Sequence, residues 1–251
     1  MTLSLIIVVI LAAFILEFFD ASAGMGYGSL TPILLLMGFP PLEAISAVIL
    51  TSAVLSLFAG YLHHDFDNID FLLKKNIKIL SILISFGIMA IIIGAAMAIS
   101  IPEDILKTYI GLLIIVIGIS IITYHKKHDF SWKRLIFFGS LASFNKGISG
   151  EGFGPVLAGG QIASGVDSRH AVSITALTEG VVSSIGFLVY LLINGAGHMN
   201  WSLILYLLIG GAVSTPLAVC FVKKFHPKKL KSLIGTLSII LGLAILTKLF
   251  F

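Results

Sequence analysis

Charge is scarce in this sequence. Acidic and basic side chains make up only 11% of its 251 residues, against about a quarter in an ordinary soluble domain. That shortage excludes a water-soluble globule. The few basic residues form no stripe with interleaved aromatics, so nucleic-acid binding has no support. Cysteine is nearly missing as well. Cys220 stands alone in an apolar segment, which excludes an intramolecular disulfide, and it is expected simply to pack. His63, His64, His125, His128, His198 and His226 are placed in loops without metal-ligand spacing, so no metal and no cofactor are assigned. A cleavable leader is not read either. The run Leu3 to Leu16 before Ala21-Ser22-Ala23 imitates one, but no basic n-region precedes it and Glu17 and Asp20 interrupt it.

What the chain has in abundance is apolar length. Apolar residues make up 58% of it, and the mean hydropathy is +1.10. Apolar segments fall at 3–19, 29–38, 42–62, 77–99, 105–124, 135–144, 155–164, 171–193, 201–222 and 230–250. The long ones can cross hydrocarbon; 29–38, 135–144 and 155–164 are half that length and border glycine-rich breaks. The reading is an all-α polytopic integral membrane protein.

The segments repeat. Gly24-Met25-Gly26-Tyr27-Gly28 corresponds to Gly150-Glu151-Gly152-Phe153-Gly154 at an offset of 126. Gly38, Ala44, Ser46, Thr51, Val54 and Ser56 match Gly165, Ala171, Ser173, Thr178, Val181 and Ser183 at 127. Ile110-Gly111 and Gly118 match Ile234-Gly235 and Gly242 at 124. Shared glycine spacing is harder to reach by chance than shared apolarity, so two homologous halves are expected: 1–124, a basic cytoplasmic linker at 125–134, and 135–251.

Loop charge orients the halves. Eight simple spans would divide the loop lysines and arginines evenly between the faces. If 3–38 and 135–164 are instead re-entrant hairpins, each followed by three spans, loops 63–78, 125–134, 165–170 and 223–231 share a face. That face then holds thirteen of the sixteen basic residues. Only Lys107 and Lys248 lie opposite, with Lys146 in the membrane. The positive-inside rule selects this arrangement, an inverted-topology repeat with both termini outside.

Inverted repeats with broken helices bind substrates near the midplane. The breaks here are Gly24–Gly28 and Gly147–Gly154. Their exposed amides and the positive ends of helices 29–38 and 155–164 suit an anion; the plainer account is that these glycines allow tight helix packing. Lys146, directly before the second break, is an intramembrane ammonium and needs a partner: the substrate anion, Glu151 or Glu179. A structural ion pair is its plainer role. Glu17, Asp20, Glu151 and Glu179 are candidates to carry coupling protons, although four charged carboxylates would repel an anion. Thr51, Ser52, Thr175 and Thr178 are candidate hydroxyl ligands, set against the ordinary habit of bonding their own i−4 carbonyl. Asp167, Arg169 and His170 read as a solvated anchor at the interface.

The stretches GMGYGSLTPILLLMGFPPLEAIS and GISGEGFGPVLAGGQIASGVDSRHAVSIT resemble the TauE/SafE sulfite exporter family. The resemblance implies a multi-pass carrier of the prokaryotic inner (plasma) membrane exporting sulfite, sulfoacetate or a related organosulfur anion. Gly24, Gly26, Gly28, Gly150, Gly152 and Gly154 of the two breaks are read as substrate-binding, and Tyr27 and Phe153 beside them stand where the family has a middle glycine and would reshape the site. The partners implied are that small anion and the lipid bilayer. Two rival readings are a proton-coupled carrier of a cation or neutral solute, and a rhomboid-like intramembrane serine protease suggested by Gly147-Ile148-Ser149-Gly150. The protease reading needs a histidine base at the depth of Ser149, and no predicted span contains one.

Overall fold

The computed structural model describes residues 3–123, 130–221 and 227–250. Ten α-helices follow one another there: α1 (Leu3–Ala23), α2 (Leu30–Leu36), α3 (Pro41–Asp65), α4 (Lys74–Ser100), α5 (Glu103–Thr123), α6 (Trp132–Ser149), α7 (Phe153–Ala163), α8 (Ser168–Asn194), α9 (Trp201–Phe221) and α10 (Pro227–Phe250). In hydrocarbon a helix is the form in which one segment satisfies its own backbone, so uninterrupted apolar runs dictate this content. Local signals set the ends. Pro41 opens α3, the Asp167 carboxylate accepts from the Arg169 and His170 amides at the start of α8, and the Ser131 hydroxyl accepts from the Arg134 amide at α6. Among the described residues, α1, α3, α4, α8 and α9 are long and apolar enough to cross a membrane. Among the described residues the protein is all-helical, a multi-pass membrane protein with many leucines, isoleucines and valines exposed on the outside of its helices.

Two expectations about length need correction. α6 does not stop at 144: it runs 18 residues to Ser149, roughly 27 Å at 1.5 Å per residue. Its polar residues Asn145 and Lys146 find partners, and its glycines seat it against a neighbour instead of breaking it. A methyl at Gly139 would strike Leu83, and one at Gly147 the carbonyl of Ile91, both on α4. The second break is therefore only Gly150–Gly152, with Gly147, Ile148 and Ser149 helical. α1 likewise extends through Asp20 to Ala23. The basic linker lies outside the described residues as far as 129, and α6 has begun by Trp132.

Contacts along the chain fix the directions of the helices. Gly139, Gly87 and Gly94 set Leu83, Ser143 and Phe144 at rising positions, so α4 and α6 run parallel. Gly210 sits on Ile10–Phe14 and the Thr215 hydroxyl donates to Glu17, so α1 and α9 also run parallel. By contrast, Gly60 meets Leu177 and Gly186 meets Ile49, which makes α3 and α8 antiparallel. Gly111 against Leu246 and Gly242 against Ile115 make α5 and α10 antiparallel too. α6 and α7 form a hairpin whose open ends meet, the Ser131 amide donating to the Ser164 carbonyl at 3.2 Å. α1 and α2 turn back in the same way: α3 begins beside α9, where Asn200 donates to Glu43 at 3.1 Å, on the side where α1 also begins.

Candidate functional site

Glycine brings the two hairpin turns into contact. Gly24 (φ 69°), Gly26 (φ 147°), Gly150 (φ 73°) and Gly152 (φ 76°) adopt backbone conformations that side-chain-bearing residues rarely take. A methyl at Gly154 would run into the carbonyl oxygen of Gly24, and one at Gly28 into the Glu151 backbone. So 24 lies against 154 and 28 against 151: the turns pass each other antiparallel, with a glycine on at least one side of each contact. Gly150 is closed over by the Thr31 hydroxyl.

Lys146, in the last turn of α6 before the second glycine turn, reaches into α3 and α8. It is 1% exposed, and its ammonium donates to the Ser52 hydroxyl and to Glu179 Oε1, each at 2.7 Å. Glu179 is the partner, one of the two carboxylates expected. Its second oxygen is buried without a partner. Ser52 and Glu179 are 127 positions apart, the same offset that relates Thr51 to Thr178; Asp20 and Lys146 are 126 apart, the offset of the glycine runs. The polar residues of this site thus occupy two pairs of matched positions.

Acid gathers around this one lysine. Glu17 is 2% exposed and accepts from the Thr215 hydroxyl at 2.9 Å. Asp20 accepts from the Tyr27 amide at 3.2 Å. Both lie within electrostatic reach of Lys146 and Glu179, and Glu151 within reach of Lys146. Glu151 is 1% exposed and neither of its carboxyl oxygens has a protein partner. It lines, with Gly26, Gly28, Ser29 and Gly152, a cavity of ≈ 20 Å³, room for one water molecule.

The remaining candidates separate. Thr178 is buried with its hydroxyl unpartnered, as is the Tyr27 hydroxyl, which lies beside Thr51. Thr51 itself donates to its own Ala47 carbonyl at 2.8 Å, the plainer of its two readings. Thr175 accepts from Gln161 at 2.8 Å. Phe153 packs into an apolar cluster with Leu83, Leu135 and Ile174, so it is core. Ser149, the nucleophile of the protease reading, donates to the Asn145 carbonyl at 2.6 Å. His63 and His64 are not loop residues: both lie in the last turn of α3, and His63 is fully buried with its ring against the Ala21 carbonyl and Asn68. Cys220 does not pack and is exposed.

Sequence reasoning missed three polar groups. The Tyr109 hydroxyl donates to Asn145 Oδ1 at 2.8 Å, and Thr215 holds Glu17. Tyr109 and Asn145 belong to the wall of a much larger cavity of ≈ 460 Å³ between α5, α6 and α7. Each looked like one more polar residue in an apolar helix; only Asn145, next to Lys146, carried a positional signal.

The family model described as sulfite exporter TauE/SafE matches residues 9–245. The chain is similar to a Bacillus subtilis (strain 168) protein described as "Probable membrane transporter protein YtnM", with 31% identity over 234 residues, covering 87% of this chain and 75% of that one. No solved structure matches.

Proposed function

The chain belongs to the sulfite exporter TauE/SafE family, and from that premise we propose that it exports a small anion, sulfite or an organosulfonate, by alternating access. It is a membrane transporter and not an enzyme. The observation that carries the anion reading is Lys146, a fully buried ammonium beside the meeting point of two glycine turns. A buried cation must be matched by negative charge. Here Glu179 supplies it. Transfer of a proton to Glu179 opens the pair and frees the ammonium, which the anion then neutralises. Proton and anion then occupy the site together, which keeps the buried charge near balance, and they cross in the same direction, outward when the anion's own gradient exceeds the opposing proton gradient. Glu151, without a protein partner, is the second candidate to carry the proton.

The matched offsets, the antiparallel third and fifth helices of the two halves and the antiparallel seam support an inverted-repeat relation between 1–124 and 135–251. Rocking one half against the other about that seam would change the face to which the site opens. In this reading the basic loops are cytoplasmic and both termini lie outside.

The test is sulfite flux into and out of vesicles with and without a pH gradient. Saturable, gradient-dependent flux is expected, lost in Lys146→Ala. Sulfite carried by Lys146→Ala at the wild-type rate refutes the role of the lysine. A second reading, a proton-coupled carrier of a cation or neutral solute, is favoured by one observation: four carboxylates lie around a single lysine. It predicts no sulfite flux in the wild type and cation flux that Glu179→Gln abolishes.

A further inference from the structure

The repeat extends to a pair of long-range hydrogen bonds. The bond that closes α1 runs from the Gly24 amide to the Asp20 carbonyl, and the one that closes α6 from the Gly150 amide to the Lys146 carbonyl, 126 positions on. The next carbonyl in each helix, Ala21 and Gly147, belongs to the acceptors that a helix end leaves over. Each takes a side-chain donor from the long helix that follows in its own half. His63 Nε2 reaches the Ala21 carbonyl at 3.1 Å, and the Tyr190 hydroxyl donates to the Gly147 carbonyl at 2.8 Å. His63 and Tyr190 are 127 positions apart, the offset that relates Ser52 to Glu179, and both are completely buried. A carbonyl only accepts, so Nε2 of His63 carries the ring's proton, and Nδ1 accepts from the Asn68 amide group at 3.2 Å. The same amide group reaches the Val219 carbonyl of α9 at 3.4 Å, a link to the other half.

Their placement about Lys146 is symmetric. Eleven residues of α3 lead from Ser52 to His63, and eleven of α8 from Glu179 to Tyr190. In each case that is roughly 16 Å of helix. Because α3 and α8 run antiparallel, the two bonds lie on opposite sides of the buried ion pair, towards opposite faces. Packing between the halves repeats with the same exchange of partners. Gly87 of α4 meets Val182 of α8, and at matched positions Gly211 of α9 meets Leu55 of α3. With both bonds formed, Lys146, Ser52 and Glu179 are each no more than 2% exposed, so the site is closed to both faces.

We propose that these two bonds are the paired latches of the transport cycle. His63 on Ala21 holds the site closed towards the face of the 63–78 loop, and Tyr190 on Gly147 holds it closed towards the other. The inference rests on the alternating access proposed above, and not on which solute moves. Each latch ties the helix that enters a glycine turn to the spanning helix that carries Ser52 or Glu179. Parting the two opens a path on one side alone. Loss of the donor favours that opening, because the stranded carbonyl finds water only when its face is open. His63 and Tyr190 are thus positioning residues, acting through the helices they join. Their plainer role is to satisfy two helix ends.

A single thiol at the depth of the site separates the two roles. Thr178, next to Glu179, is buried with its hydroxyl unpartnered, so Thr178→Cys breaks no hydrogen bond. Cys220, the chain's one cysteine, is exposed and is removed by Cys220→Ser. The full chain, in right-side-out and inside-out membrane vesicles, is labelled with a membrane-impermeant maleimide. Tyr190→Phe removes one oxygen and should raise labelling about two- to tenfold from one face, with the other unchanged. His63→Leu should do the same from the opposite face. His63→Gln, whose side-chain amide keeps a donor near the place of Nε2, should return to the slow rate. On the loop-charge reading the His63 face is cytoplasmic; a mirror-image result supports the latches and reverses that orientation. Labelling that is unchanged, or that rises from the same face or from both faces in the two variants, overturns the latches. Should His63→Leu not fold, Tyr190→Phe decides alone, by one-sided against two-sided labelling. The thiol readout needs no substrate, so the latches can fail while sulfite flux stands, and sulfite flux can fail while the latches stand.

Discussion

Replacing Lys146 by methionine keeps the length of the side chain and removes its charge. Glu179 then loses the donor to Oε1 at 2.7 Å, while its Oε2 already has none, and no water-exposed route relieves a residue only 2% exposed. Breaking one side of a buried ion pair costs about 3–5 kcal/mol, because the surviving charge stays buried. For a chain of this size each kcal/mol moves the apparent Tm by about 2–4 °C, so Lys146→Met should melt roughly 6–20 °C below the wild type in detergent. The double variant Lys146→Met with Glu179→Gln removes both charges. It should regain most of that loss, since exchanging a whole buried pair for neutral groups is often close to neutral. Neither variant should carry sulfite. Stability and transport are thereby separated. A single variant that melts within about 2 °C of the wild type, or a double variant no more stable than the single, would falsify the account of this pair as a mutually neutralised buried charge.

Other outcomes follow from the same geometry. Gly154→Ala forces a methyl against the Gly24 carbonyl and should cost about 1–3 kcal/mol in thermal melts and slow transport, whereas Gly159→Ala, with open space, should be neutral or gain up to about 1 kcal/mol of helix stability. Equal effects of the two would mean that the seam is not tight. Glu151→Gln removes no protein hydrogen bond, so its melting point should stay within about 1 kcal/mol of the wild type. Substrate exchange should continue while pH-driven accumulation stops; accumulation at the wild-type level would remove Glu151 from coupling. Lys248 donates to the Leu35 and Leu36 carbonyls at the end of α2. Lys248→Ala should loosen that short helix by about 0.5–1 kcal/mol, read as faster hydrogen exchange in residues 30–36 with the rest unchanged.

Much of this architecture was written in composition and spacing. Apolar runs with sparse charge dictate membrane helices because lipid offers the backbone no other partner. Repeated glycines at 24, 26, 28 and 150, 152, 154 marked where two turns would meet, because only glycine tolerates both the left-handed backbone and the close approach. Lys146 announced itself because an ammonium in hydrocarbon requires a counter-charge. The sequence offered Glu151 and Glu179 equally for that task. Tertiary structure chose Glu179, since the direction in which a lysine leaves its helix depends on how α6 rotates against α3 and α8. Helix ends were also beyond the reach of hydropathy: α6 runs through Asn145 and Lys146 because those side chains find partners on other helices. The apolar cavity beside Gly159 could not be read locally at all. It is a space between three helices, defined by atoms that are not there, and only their packing creates it.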